Sequence, residues 1–193
     1  AIDYLNQHSV KWYSAGGCNA TAVAEYVISA IFQLAYEDKF DPLTKKVAVI
    51  GAGNVGAALA SILNDLNIDY VLCDPPLQAT DENRSFVNFE AAMQADIICL
   101  HTPFITNGDF PTLHMFGSNE LSKLSENQYL INACRGEVID NDALLSLFKI
   151  GKKLNVVLDV WENEPLIKHD LIPYIRLATA HIAGHTLEGK ARG

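Results

Sequence analysis

Val47-Ala48-Val49-Ile50-Gly51-Ala52-Gly53-Asn54-Val55-Gly56 joins a short apolar run to a glycine-rich turn. The first four residues suit a buried strand, and the apolar positions after Asn54 recur at helical spacing, so the glycines stand between a strand and a helix. Each glycine then has a distinct use. Gly51 permits the tight turn, Gly53 lets the backbone approach a pyrophosphate, and Gly56 lets helix and strand pack closely. The amides that open the helix, at Asn54 and Val55, face the bound anion and are favoured by the helix dipole. Downstream, Asp74 ends the run Tyr70-Val71-Leu72-Cys73 and is placed to accept hydrogen bonds from adenosine ribose hydroxyls. A carboxylate there repels a 2′-phosphate, which predicts NAD rather than NADP as cofactor.

Working outward, the pattern repeats. Strands are predicted near 46–50, 69–73, 96–100, 128–133, 154–159 and 175–180, with helices near 54–66, 88–94, 118–124 and 141–150. Strands that are apolar throughout and alternate with helices imply a parallel sheet covered on both faces, an α/β Rossmann-type doubly wound fold. Ahead of it, a helix is expected over Ile2 to His8 and a strand over Val10 to Ser14. Gly16-Gly17 then breaks the chain, and Asn19 is placed to cap a helix running to about Glu37.

Three polar residues stand just beyond apolar strand runs in the second half: Arg135, Glu164 and His181. Ligands of open α/β sheets bind outside the carboxyl ends of the strands, so all three are delivered to the edge that carries the glycine turn. Oxidising a secondary alcohol requires that the hydroxyl proton leave as hydride departs from the same carbon. An imidazole titrates in the right range to take it, and a paired carboxylate fixes its tautomer. A guanidinium grips a substrate carboxylate bidentately. His181 and His185 lie four apart, but Gly184 between them argues against a helical zinc pair, so no metal is expected. His101, His114 and His169 are read as structural.

The bulk composition narrows the function classes. A net charge of −9 opposes a nucleic-acid surface, which needs clustered Lys and Arg. The most apolar stretch, Ala20 to Tyr36, carries Glu25 and Gln33 and is short for a bilayer span. No secretory leader is read at the amino end, and the mixed start and the open Gly189 to Gly193 end suggest part of something larger. Cys18, Cys73, Cys99 and Cys134 show no metal or redox spacing and suit a reducing cytoplasm.

Asn132-Ala133-Cys134-Arg135-Gly136 with Val138-Ile139-Asp140, then Leu158 to Pro165, then His181 resemble the signatures of the D-isomer-specific 2-hydroxy acid dehydrogenases. Leu72 to Pro76, His101-Thr102-Pro103 and Gly184 to Gly193 resemble one branch of that family, which acts on a small phosphorylated 2-hydroxy acid. The resemblance implies that Arg135 binds the substrate carboxylate, Glu164 orients the histidine and His181 is the acid/base. It further implies that Asp159 meets the nicotinamide carboxamide while Thr102, Ala133 and Gly184 line the cofactor cleft. His185 would touch substrate where that branch usually carries a tyrosine. Residues 19–185 then form the NAD-binding domain, 1–18 a hinge and remnant of a second lobe, and 186–193 the start of the return to it.

The helix over residues 19–37 is apolar on more than one face, through Ala24, Val27, Ile28, Ile31, Phe32 and Leu34 with Tyr26 and Tyr36. One lobe covers one face, so a homodimer is expected. Two other readings stay open: a related 2-hydroxy acid dehydrogenase acting on phosphoglycerate, hydroxypyruvate or glyoxylate, and a non-catalytic NAD-sensing protein of the same fold.

Overall fold

The computed structural model describes residues 2–193. After α1 (Ile2–Gln7) and the long α2 (Ala20–Asp38) come β1 (Lys46–Ile50), α3 (Asn54–Asp65) and β2 (Asp69–Cys73). Two short helices follow, α4 (Pro75–Gln78) and α5 (Phe89–Ala92), then β3 (Ile97–Leu100), α6 (Ser118–Lys123) and β4 (Tyr129–Asn132). The chain finishes through α7 (Asn141–Lys149), β5 (Asn155–Leu158), β6 (Leu177–Ala178) and α8 (Leu187–Arg192). All six strands run parallel in the order β2-β1-β3-β4-β5-β6.

Alternation along the strands divides the core in two. Ala48, Ile50, Ile98, Leu100, Leu130, Val156 and Leu158 pack on one face with Leu121 of α6 and Leu144 and Phe148 of α7. Val47, Val49, Ile97, Cys99, Ile131 and Val157 pack on the other with Val27, Ile31 and Leu34 of α2 and Leu59 and Leu63 of α3. Both faces are covered, as the continuous apolar runs require. The order of the strands reverses direction between β1 and β3, and that switch point opens the crevice in which the site is built.

Three local expectations are corrected, and two short helices appear that the sequence reading did not include. Residues 10–15 form no strand, because the described residues supply no neighbour to pair with them. Asn19 precedes α2 but its side chain makes no capping hydrogen bond. The last strand is only two residues long, pairing with β5 at the sheet edge through Leu177 and Ala178. Pro75 opens a short helix capped by Asp74, whose carboxylate accepts from the Leu77 amide. The final segment is helical, with the Thr186 hydroxyl accepting from Gly189 N–H.

Arg176, at the entry to β6, ties the carboxyl end of α2 to the sheet. Its guanidinium donates to Glu37 at 2.9 Å and to both oxygens of Asp38 at 2.9 and 3.0 Å, while the Tyr129 hydroxyl donates to Asp38 at 2.7 Å. The outward face of α2 leaves Phe32 and Tyr36 exposed, at 43% and 72%. The chain itself therefore covers one face of α2.

Candidate active site

The glycine turn is shaped by close backbone contacts. Gly51 has φ +91°, and a Cβ on it would lie 2.6 Å from the His101 carbonyl. A Cβ on Gly56 would lie 2.0 Å from the Gly51 oxygen, whereas one on Gly53 would meet nothing within 4 Å. Gly51 and Gly56 thus build the turn, and Gly53 is its open side. The Gly53 carbonyl accepts the Ala57 amide at 2.8 Å, so the amides of Asn54, Val55 and Gly56 precede the first bond of α3. Such an end suits an anion.

The Ala52 peptide is braced from both sides. Its N–H donates to Asp74 Oδ2 at 2.8 Å, and its carbonyl accepts from Arg84 Nη1 at 2.8 Å. The other Asp74 oxygen accepts the Leu77 amide at 3.0 Å. Each carboxylate oxygen keeps a further acceptor site, so Asp74 can hold the turn and still receive hydroxyl groups.

Across the cleft, His181 adopts φ +55° and its amide donates to the Asp159 carbonyl at 2.7 Å. Its Nδ1 lies 2.8 Å from Glu164 Oε2. Glu164 is itself fixed, because Oε1 accepts the Trp161 amide at 2.8 Å. An imidazole whose Nδ1–H is given to a carboxylate presents Nε2 as acceptor for a substrate proton. Arg135 projects from the turn after β4. That turn is held by the buried Asn132, which donates to the Arg135 carbonyl at 2.9 Å and accepts the Cys134 amide at 3.1 Å. Arg135 is exposed, and its side-chain bond from Nη1 to the Cys134 carbonyl at 2.6 Å leaves most of the guanidinium fork for a ligand.

A single cleft of about 560 Å³ joins these parts. Gly53, Asn54, Val55, Thr102, Ala133, Arg135, Asp159, His181, Gly184 and His185 all line it. Gly51 and Gly56 lie beneath the turn, Asp74 stands behind Ala52, and Glu164 sits on the far side of His181. The cleft is thus lined by cofactor-type residues together with Arg135 and His181, while Glu164 backs the histidine.

Sequence reasoning passed over several residues at this site. Asn19, placed by the sequence as a cap, lines the cleft instead, and a Cβ on Gly184 would come within 2.3 Å of its amide nitrogen. His101 also lines the cleft, but both its ring nitrogens are sealed from solvent without a hydrogen-bond partner among the described residues. Burial pushes that imidazole down to about 4. Arg84 gave no signal, because only the fold brings it to Ala52. Burial raises the Cys134 thiol, which argues against a nucleophilic role in the cleft.

His114, Asp140 and Glu162 form a second polar cluster nearby, with His114 Nε2 2.6 Å from Glu162 Oε1. Both carboxylates are already engaged by amides of the α7 turn, which gives the cluster a structural reading. No described helix is long and apolar enough to cross a membrane.

Residues 32–185 match the family model described as D-isomer specific 2-hydroxyacid dehydrogenase, NAD binding domain. The chain is 56% identical over 191 residues to an erythronate-4-phosphate dehydrogenase of Pseudoalteromonas atlantica, covering 99% of this chain and 51% of that protein. It is 47% identical to the erythronate-4-phosphate dehydrogenase of Psychromonas ingrahamii, covering 98% of this chain and 50% of that protein. The chain therefore spans about half the length of the curated relatives it matches. Among solved structures, an NAD-dependent formate dehydrogenase from Staphylococcus aureus in complex with NAD superposes with a TM-score of 0.77 at 22% identity. That match covers 97% of this chain and 62% of the other, and at such identity it speaks for the fold alone.

Proposed function

This chain belongs to the D-isomer-specific 2-hydroxyacid dehydrogenase family, and from that premise we propose that it is the NAD-binding half of an erythronate-4-phosphate dehydrogenase. The reaction is oxidation of 4-phosphoerythronate at C2 to the 2-oxo acid, a step toward pyridoxal 5′-phosphate. The observation that carries this reading is the His181–Glu164 pair at 2.8 Å, set in the same cleft as Arg135 and the glycine turn.

In this reading Gly53 and the amides opening α3 receive the pyrophosphate, and Asp74 receives the adenosine ribose. Open space at Gly53 and the spare acceptor sites of Asp74 fit that cofactor. NAD, when bound, supplies the hydride acceptor. Arg135 holds the substrate carboxylate through its guanidinium fork and draws charge from the neighbouring oxygen. His181 Nε2 takes the C2 hydroxyl proton, and Glu164 stabilises the imidazolium that results. Asp159 offers an acceptor to the nicotinamide carboxamide, Thr102, Ala133 and Gly184 line its bed, and His185 donates to the anionic substrate.

Residues 19–185 serve as the cofactor domain, with 1–18 and 186–193 leading to a second lobe. The exposed Phe32 and Tyr36 on α2 form the contact of a homodimer. Four free cysteines suit a cytoplasmic setting. The test is NADH formation by the full-length enzyme with 4-phosphoerythronate, set against phosphoglycerate, glycerate and glycolate. Preference for another of these acids assigns a different substrate, and no turnover with any of them favours an NAD-sensing protein.

A further inference from the structure

Asp159 is 1% exposed, and its carboxylate is unequally used. Oδ1 accepts from the Thr179 hydroxyl at 2.6 Å and from the Ile182 amide at 2.8 Å. Oδ2 accepts from the Ala183 amide at 2.9 Å and keeps a second acceptor site. Asp159 lines the cleft, so this remaining site is the one a ligand can use.

The Thr179 hydroxyl does not end the chain of contacts. Its Oγ1 lies 2.7 Å from the hydroxyl of Tyr26, on α2. A carboxylate has no proton to give, so Thr179 must spend its single proton on Asp159. Tyr26 must then be the donor to Thr179. Three oxygens therefore form a chain of one polarity, from phenol through hydroxyl to carboxylate, and such chains strengthen each member. Burial, opposed by the Thr179 bond and aided by the charge of Asp159, raises the Tyr26 phenol and keeps its proton available for donation.

The main chain of Thr179 is held as well. Its amide donates to the Leu158 carbonyl at 3.0 Å, and its carbonyl accepts from the Trp161 indole at 2.8 Å. These two bonds fix the Thr179 main chain beside Asp159, so that only its side-chain rotation remains to be set.

We propose that Thr179 and Tyr26 are positioning residues for the nicotinamide end of the cofactor, acting through Asp159. This rests on the reading of Asp159 as the carboxamide acceptor. Thr179 fills Oδ1 and fixes the carboxylate plane, so Oδ2 alone faces the ligand. Tyr26 aligns the Thr179 hydroxyl by occupying its acceptor side.

Calorimetric titration of the chain with NADH and with ADP-ribose separates this role from general stability, since ADP-ribose lacks the nicotinamide. The measured quantity is the ratio of the two affinities. Thr179→Val should lower NADH affinity about ten-fold, the scale of one charge-assisted hydrogen bond, and leave ADP-ribose affinity within about two-fold. Thr179→Ser keeps the hydroxyl and should restore the ratio. Tyr26→Phe, on a partly buried helix position, should lower the ratio by about two- to three-fold and serves if the valine variant does not fold. Asp159→Asn is the control for the underlying reading. A normal ratio in Thr179→Val and Tyr26→Phe, with a lowered one in Asp159→Asn, overturns the positioning role alone. A normal ratio in Asp159→Asn overturns the acceptor reading itself. Equal loss of both ligands in Thr179→Val overturns the proposal in favour of a purely structural threonine.

Discussion

Gly136→Ala tests how tightly the catalytic edge is built. A Cβ at this position would lie 2.0 Å from the carbonyl carbon and oxygen of Trp161. Carbon contacts settle at about 3.5–4.0 Å, so the two chains would have to part by roughly 1.5 Å. Neither side can yield by turning a side chain, because the obstacle is main chain. Trp161 is held by its amide on Glu164, by its indole on the Thr179 carbonyl, and next to it by Glu162 on His114. Overpacking of this sort costs about 1–3 kcal/mol, and the rigidity of both partners places it at about 3. With a urea slope of about 3 kcal/mol per molar, the midpoint should fall by about 1 M. Urea unfolding followed by far-ultraviolet circular dichroism measures it. Gly53→Ala is the matched comparison, because open space surrounds that position. It should unfold within about 0.2 M of the parent while losing NADH affinity. A Gly136→Ala midpoint as close to the parent as that of Gly53→Ala would refute the close-approach reasoning.

Further outcomes concern pH, cofactor choice and assembly. The His101 imidazole is depressed by burial from 6.5 to about 4, so the unfolded chain binds the proton first. Stability is then full above pH 6.5 and falls as pH drops toward 4, by an amount on the order of 3 kcal/mol; His101→Asn should flatten unfolding free energy across that window, and an unchanged slope would contradict the assignment. Asp74→Ala should weaken NAD binding by roughly ten- to a hundred-fold and narrow the gap to NADP, with a further ~1 kcal/mol lost from the α4 cap. An unchanged NAD to NADP affinity ratio would sink the ribose role. Replacing the exposed Phe32 and Tyr36 of α2 by Glu should shift a micromolar sample from dimer to monomer in sedimentation; a parent already monomeric speaks against the α2 contact.

The central sheet could be read from sequence because its strands are buried on both faces, so each apolar run carries its own signal. Val10 to Ser14 has strand-like residues but no neighbour among the described residues, and pairing is a property of two segments. The short helices α4 and α8 carry capping residues in Asp74 and Thr186, but each is too short to show an apolar period. At the site, the glycines, Asp74, Arg135, Glu164 and His181 stand at strand ends, and chain order alone puts them on one edge. Arg84, Asn19 and Tyr26 reach the site only through tertiary contacts between distant segments, and Thr179, though at the end of β6, gains its role only from its contacts with Asp159 and Tyr26. No local spacing encodes such contacts.

On the proposed function, His181, held by Glu164, moves the substrate proton in the cleft that also receives the cofactor. Turnover of full-length enzyme carrying His181→Asn, measured alongside its NADH affinity, tests this most directly. The expected outcome is a loss of about 10²–10⁴-fold in kcat with NADH affinity within about two-fold of the parent. Near-normal turnover in that variant would contradict it and require another residue as the base.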